Sequence, residues 1–372
     1  MLRRNNNLIN ARGINNNPPI NSNSPSIQED FINFLAALLA IQPGVNANQR
    51  KLPPNPAFEM HPYLQYVSQE YLEKYIIGTF PPISYVIDLL LSEYSLEISH
   101  LLQPIAGRRI KKPDIPFFHG NRRLMWDYIL TQEELEELSL KENRENKKEF
   151  LIKWLQENGI IYSDIIFSIQ RKLEDGRYSA KDTQLYNICI NKNLISHILF
   201  NPNVKYLMFN SGSTFGQNNW VNMENPKSFD LFIRGCLEVG LKVELRINQG
   251  PTHHFNWIEI NVANAAIINQ YFRNKIAFEI KLTISKNTNK AFLSNCLNSE
   301  SFFSKEFHVV TPVSPAGIRG ATLGNLIFQR WAIIHNGGII NMAGLGEFLK
   351  DIFTWYKQGN FDQIYNLNVN NI

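Results

Sequence analysis

The chain is expected to fold as an α/β protein, a three-layer α/β/α sandwich around a short, mostly parallel central sheet. Two observations predict this. Short apolar runs of strand length alternate with helical patterns through the middle of the chain, and strand, helix, strand repeated in this way builds a parallel sheet covered on both faces. The composition, 44% hydrophobic and 19% charged over 372 residues, matches a packed globular protein and excludes coiled coil, collagen-like and wholly disordered chains.

In chain order, residues 1–27 are dominated by Asn with scattered Pro and Ser. They bury too little apolar surface to offset ordering entropy and read as a disordered tail. Residues 28–66 read as an N-terminal extension in which Phe31 to Ala40 has helical spacing and Leu52 to Phe58 is punctuated by proline. The main domain is expected over 67–340. In it Tyr75 to Thr79 reads as a buried strand entering a Gly and Pro turn, Glu133 to Asn158 as a charged helix, and Ile160 to Ile169 as a second strand. Leu185 to Leu199 reads as a helix, Val204 to Phe209 as a third strand, Phe307 to Val310 as a fourth, and Leu323 to Ile334 as a helix. Between 217 and 303 the pattern changes to the β-rich pieces KVELRIN, WIEINVA and IAFEIKLTI, which read as an inserted, elaborated region. Residues 341–372 are expected as a C-terminal helical extension.

The net charge of +4, from 37 basic and 33 acidic residues, is too mild to demand a polyanionic partner, so local clustering matters more than the sum. Cys189, Cys236 and Cys296 are odd in number and widely spaced, which supports neither a disulfide framework nor a CxxC metal site. A reducing cytoplasm is the expected setting. No 18-residue apolar run and no secretory core at the start are found, so neither membrane insertion nor export is expected. His253 and His254 lack a spaced third ligand, Gly212-Ser213-Thr214 lacks the end of a P-loop, Gly338 to Gly346 lacks the context of a dinucleotide site, and three cysteines are too few for an iron-sulfur cluster. No cofactor and no metal are expected.

Four segments fall in order at the carboxyl ends of predicted strands, where open parallel sheets hold their ligands. They are IIGTFPP (76–82) with FFHGNRRLMW (117–126), YSDIIFSIQRK (162–172), LMFNSGS (207–213) and VVTPVSPAG (309–317). In this order the chain resembles the uracil-DNA glycosylase superfamily over about residues 70–335, and within it the branch with a Gly-x-x-Pro strand end, an aromatic pair closing on Trp and a final Ser-Pro loop. The resemblance implies hydrolysis of the N-glycosidic bond of a flipped base in DNA, leaving an abasic site. Such chemistry needs backbone amides, aromatic faces and one acceptor or base around an extruded nucleobase.

The resemblance distributes roles as follows. Gly78, Thr79 and Pro81 form the turn that approaches the base, and Phe80, Phe117 and Phe118 are candidate stacking walls, although paired phenylalanines also suit a core. His119 stands beside them. The basic run Arg108, Arg109, Lys111, Lys112, Arg122 and Arg123, interleaved with aromatics, suits phosphate contact, and a solvated basic loop is the plainer alternative. In the wider superfamily the first loop carries an Asp or Asn that handles water; Phe80 occupies that position here. The branch's catalytic Asn three residues before Trp126 is replaced by Arg123, which leaves Asn121 as the first candidate and Asp114 as the second, with His119 and Asp127 also in reach.

Asp164 matches the place where uracil-excising relatives read the base edge with Asn. An ionised Asp only accepts hydrogen bonds, so it disfavours uracil O4 and favours an exocyclic amine such as that of a cytosine derivative. Capping the following turn is the competing role. Ser314, Pro315 and Ala316 match the loop that compresses the DNA backbone, with Val313 where some members have a His and Thr311 nearby. Asn210, Ser211 and Ser213 suit a phosphate nest or a plain turn.

The favoured expectation is a monofunctional glycosylase for a modified cytosine, including the hypermodified bases that bacteriophages carry, which would make it an antiviral enzyme. Repair of uracil or hypoxanthine and a non-catalytic DNA-binding sensor on the same scaffold are the alternatives. DNA is the expected partner, with no membrane and no obligate protein partner.

Overall fold

The computed structural model describes residues 59–61, 72–81, 115, 125–171, 173–174, 177–178, 185–210, 227–249, 254–272, 275–294, 304–312 and 323–368. The strands are β1 (Glu59–Met60), β2 (Lys74–Gly78), β3 (Ile160–Asp164), β4 (Ile166–Arg171), β5 (Leu173–Glu174), β6 (Arg177–Tyr178), β7 (Leu185–Ile190), β8 (Tyr206–Phe209), β9 (Lys242–Gln249), β10 (His254–Glu259), β11 (Ala277–Thr283) and β12 (Ser304–Val310). The helices are α1 (Trp126–Ile129), α2 (Gln132–Leu140), α3 (Arg144–Glu157), α4 (Lys192–Phe200), α5 (Ser228–Glu238), α6 (Ala265–Phe272), α7 (Lys290–Ser294), α8 (Leu326–His335), α9 (Met342–Gln358) and α10 (Phe361–Tyr365).

A seven-stranded sheet in the order β10-β9-β11-β12-β8-β2-β3 forms the centre. The contiguous strands β12, β8, β2 and β3 are mutually parallel, while β10, β9, β11 and β12 pair antiparallel. Five of the seven strands therefore point one way. β2, β3 and β8 are buried on both faces, which is why they read as apolar runs. Along β2, Tyr75 and Ile77 enter one core with α4 and α5, and Ile76 enters the opposite core with α3, α8 and α9. This is an α/β sandwich, with the small sheet β1-β4-β7 beside it.

Several boundaries differ from the sequence expectation. The β-rich stretch does not form a separate unit: β9, β10 and β11 continue the central sheet and α5 packs beneath it. The expected C-terminal extension is likewise part of the sandwich. α9 buries Leu345, Phe348, Leu349, Ile352 and Phe353, and the Tyr356 hydroxyl donates to the carbonyls of Tyr75 (2.5 Å) and Tyr206 (3.0 Å).

The expected helix 185–199 is strand β7 followed by α4. Alternation in LYNICI is satisfied by pairing with β4, and Asn191 then caps α4 by accepting from the Leu194 amide at 3.2 Å. The expected strand 160–169 is two strands in two sheets. Beyond Asp164 the amides of Ile165 and Ile166 donate to the carbonyls of Gly78 and Thr79, which draws the chain past the end of β2 and out of the central sheet. The charged helix 133–158 breaks in two because Asn143 caps a new start, accepting from the Asn146 amide at 2.9 Å.

No described helix is long and apolar enough to cross a membrane.

Candidate functional site

The four parallel strands end in one row. Gly78 and Asp164 are direct partners across β2 and β3, Asn210 follows Phe209, the partner of Ile77, and Thr311 follows Val310, the partner of Met208. Three of the four sequence segments thus meet through Gly78, Asp164 and Asn210, and the fourth enters through Thr311, which is buried at the end of β12. The aromatic segment 117–126 is represented by its last residues. The Sδ of Met125 lies 3.7 Å from Nδ2 of Asn210, and Trp126 is fully buried, edge to face with Trp154 at 6.4 Å between ring centroids.

A buried polar chain runs along this row. Asn210 Nδ2 donates to the Tyr162 hydroxyl at 2.7 Å, and that hydroxyl is also hydrogen-bonded to Asp164. His61 Nε2 reaches Oδ2 of Asp164 at 2.7 Å. The Asn210 amide nitrogen only donates, so the Tyr162 oxygen accepts from it and the Tyr162 O–H is left to donate to Asp164, while His61 in its Nε2–H tautomer donates to Oδ2. The residue-level exposure of Asp164 is 5%, and the His61 side chain is fully buried. Burial, then the negative charge of Asp164, pushes the Tyr162 phenol well above its usual range, while the bond from Asn210 works in the opposite direction.

Gly78 makes room for this chain. A Cβ there would lie 2.0 Å from Asp164 Oδ1 and 2.7 Å from the Tyr162 hydroxyl. The close approach expected of the Gly-Thr-Phe-Pro turn is thus made by the protein's own carboxylate. Asp164 is further held by its backbone, whose carbonyl accepts from Asn191 Nδ2 at 3.3 Å.

His61 is the residue that sequence reasoning missed. It lies in the stretch read as an extension, yet β1 pairs antiparallel with β4 and the His61 amide donates to the Phe167 carbonyl at 3.0 Å. This brings its imidazole onto a carboxylate 103 positions away. No local pattern marks such a pairing.

Two expected roles need correction. Phe80, a candidate stacking wall, is buried in the apolar core and meets His61 edge to face, with 5.3 Å between centroids. Asn210, a candidate phosphate ligand, is also buried, and its side-chain amide serves Tyr162. Thr79 is half-buried and Pro81 buried beside Phe80. The competing role of Asp164 as a cap is not taken up; among the described residues its side chain bonds His61 and Tyr162. The remaining candidates, Lys111, Lys112, Asp114, Phe117, Phe118, His119, Asn121, Arg122, Arg123, Ser211, Ser213, Ser314, Pro315 and Ala316, lie outside the described residues.

The arrangement offers a fixed acceptor at the carboxyl edge of an open parallel sheet. Two donors use part of the carboxylate's capacity of about four acceptor positions. Among the described residues no group of three or more His, Cys, Asp or Glu side chains is arranged to hold a metal ion. No protein-family model, no curated protein and no solved structure matches the chain.

Proposed function

We propose that the protein is a DNA glycosylase that releases a base carrying an exocyclic amine, a modified cytosine, and leaves an abasic site. The observation that carries this reading is the Asp164 carboxylate, immobilised by His61 and Tyr162 against Gly78 at the edge where open α/β sheets bind ligands. A carboxylate pairs with the amine of cytosine and opposes the O4 carbonyl of uracil. In the reaction a water oxygen bonds to C1′ of the sugar as the C1′–N bond breaks, and the base departs with the electron pair and gains a proton. Asn121, then Asp114, are the candidates to position that water. The resemblance in loop order supports glycosidic hydrolysis, and the basic run around Arg122 and Arg123 supports DNA as substrate.

The test is incubation with single- and double-stranded oligonucleotides bearing uracil, hypoxanthine or substituted cytosines, followed by detection of free base. A second reading, a DNA-binding sensor without catalysis, is favoured by Phe80. It stands where a water-handling residue is expected and is committed to packing against His61. DNA binding without alkali-labile sites in any oligonucleotide would favour it.

A further inference from the structure

We propose that His61 is a positioning residue that sets the specificity of the site by holding the Asp164 carboxylate in one orientation. This rests on the glycosylase reading and deepens it. A carboxylate oxygen discriminates an amine-bearing base edge from a uracil-type carbonyl only while it is aimed at that edge. Where a buried carboxyl group points depends on the donors that replace water around it.

Among the described residues, the groups facing the Asp164 side chain come from four elements. Tyr162 donates from its own strand, and Asn210 of β8 acts through Tyr162. Gly78 of β2 contributes only space. The second donor is His61 of the small sheet, at 2.7 Å with its ring fully buried and held against Phe80. Removing the imidazole N–H leaves a carboxyl group of 5% exposure with one described donor instead of two. The carboxyl group is then free to turn about its Cβ–Cγ bond. The variant reader no longer aims an acceptor at the base edge, and its preference for the amine falls.

The experiment measures initial rates of base release from substituted-cytosine and uracil oligonucleotides by the full chain, wild type and variant. His61→Phe keeps a ring to pack on Phe80 and removes the donor. It is expected to lower the cytosine-to-uracil rate ratio by about tenfold or more, the scale of one well-formed base pairing by a side chain. His61→Gln restores a side-chain N–H and is expected to restore most of the ratio. His61→Asn, polar but shorter, is expected to behave like His61→Phe and stands in for it should that variant not fold. Equal falls in rate on both oligonucleotides with an unchanged ratio would assign His61 a purely structural part and overturn the proposal while leaving the glycosylase reading intact. A wild-type protein that releases no base from any oligonucleotide overturns both.

Discussion

The carboxylate of Asp164 occupies the space that any side chain on Gly78 would need, with Oδ1 2.0 Å from the position of a Cβ. Gly78 is thereby tied to the polar chain above it, and glycine at this strand end follows from packing as much as from turn geometry.

Gly78→Ala should force Asp164 and the Tyr162 hydroxyl aside and destabilise the fold by about 1–3 kcal/mol, the usual cost of overpacking. Gly346→Ala is the matched control. It lies within α9 with nothing inside 4 Å of its added methyl, and removal of a helical glycine should stabilise by roughly 0.5–1 kcal/mol. Urea denaturation of the two variants should give opposite signs; a Gly78→Ala protein as stable as its parent would mean that the carboxylate does not rest there.

Tyr75, Tyr162 and Tyr356 are each buried, and burial raises all three phenols well above 10. An acid whose folded pKa is raised contributes stability that is complete below its unfolded value near 10 and is lost as pH climbs toward the folded value. Ultraviolet titration of the 14 tyrosines should therefore show a group that ionises only together with unfolding. Smooth ionisation of every tyrosine in a still-folded protein would contradict the buried placement.

Beneath the sheet, Tyr75 is hydrogen-bonded to His197 Nδ1, and the Lys305 ammonium caps α4 through the carbonyls of Ile198 (3.0 Å) and Asn201. Burial first, and the charge of Lys305 second, lower the His197 pKa below 6.5. Stability from His197 is thus complete above pH 6.5 and is lost as pH falls through its folded value. Burial pushes Lys305 down to about 8 from 10.5, so stability should also rise with pH between those values. Lys305→Met should abolish that alkaline rise and move the His197 midpoint upward in an NMR titration. An unmoved midpoint would separate the two groups.

Much of the sheet is legible in the sequence because its parallel strands β2, β3 and β8 are buried on both faces. Runs such as Tyr75 to Gly78 and Tyr206 to Phe209 announce themselves by apolarity alone, and their order brings Gly78, Asp164 and Asn210 together. Leu185 to Ile190 reads as helix because a six-residue stretch that is apolar except at Asn187 suits either periodicity, and pairing with β4 decides between them. The break after Asp164 is hidden since IIYSDIIFSI carries no glycine or proline; the carbonyls of Gly78 and Thr79, nonlocal groups, redirect the chain. Asp164 stands out as a chemical residue, but its partner His61 belongs to a different sheet, and sequence separation hides such pairs.

Arg122→Ala and Arg123→Ala should weaken binding to all DNA sequences alike and reduce the salt dependence of log Kd by about one for each phosphate no longer neutralised. Fluorescence anisotropy over a salt series reads this directly, and an unchanged slope would remove both arginines from the interface.

The central claim is that Asp164 accepts from the amine of a flipped base. The most direct measurement is free-base release by the wild type and Asp164→Asn from matched oligonucleotides bearing uracil or substituted cytosines. The account predicts release of a substituted cytosine in preference to uracil by the wild type, with the preference moving toward uracil in Asp164→Asn. Preferential release of uracil by the wild type, or an unchanged preference in the variant, would contradict it.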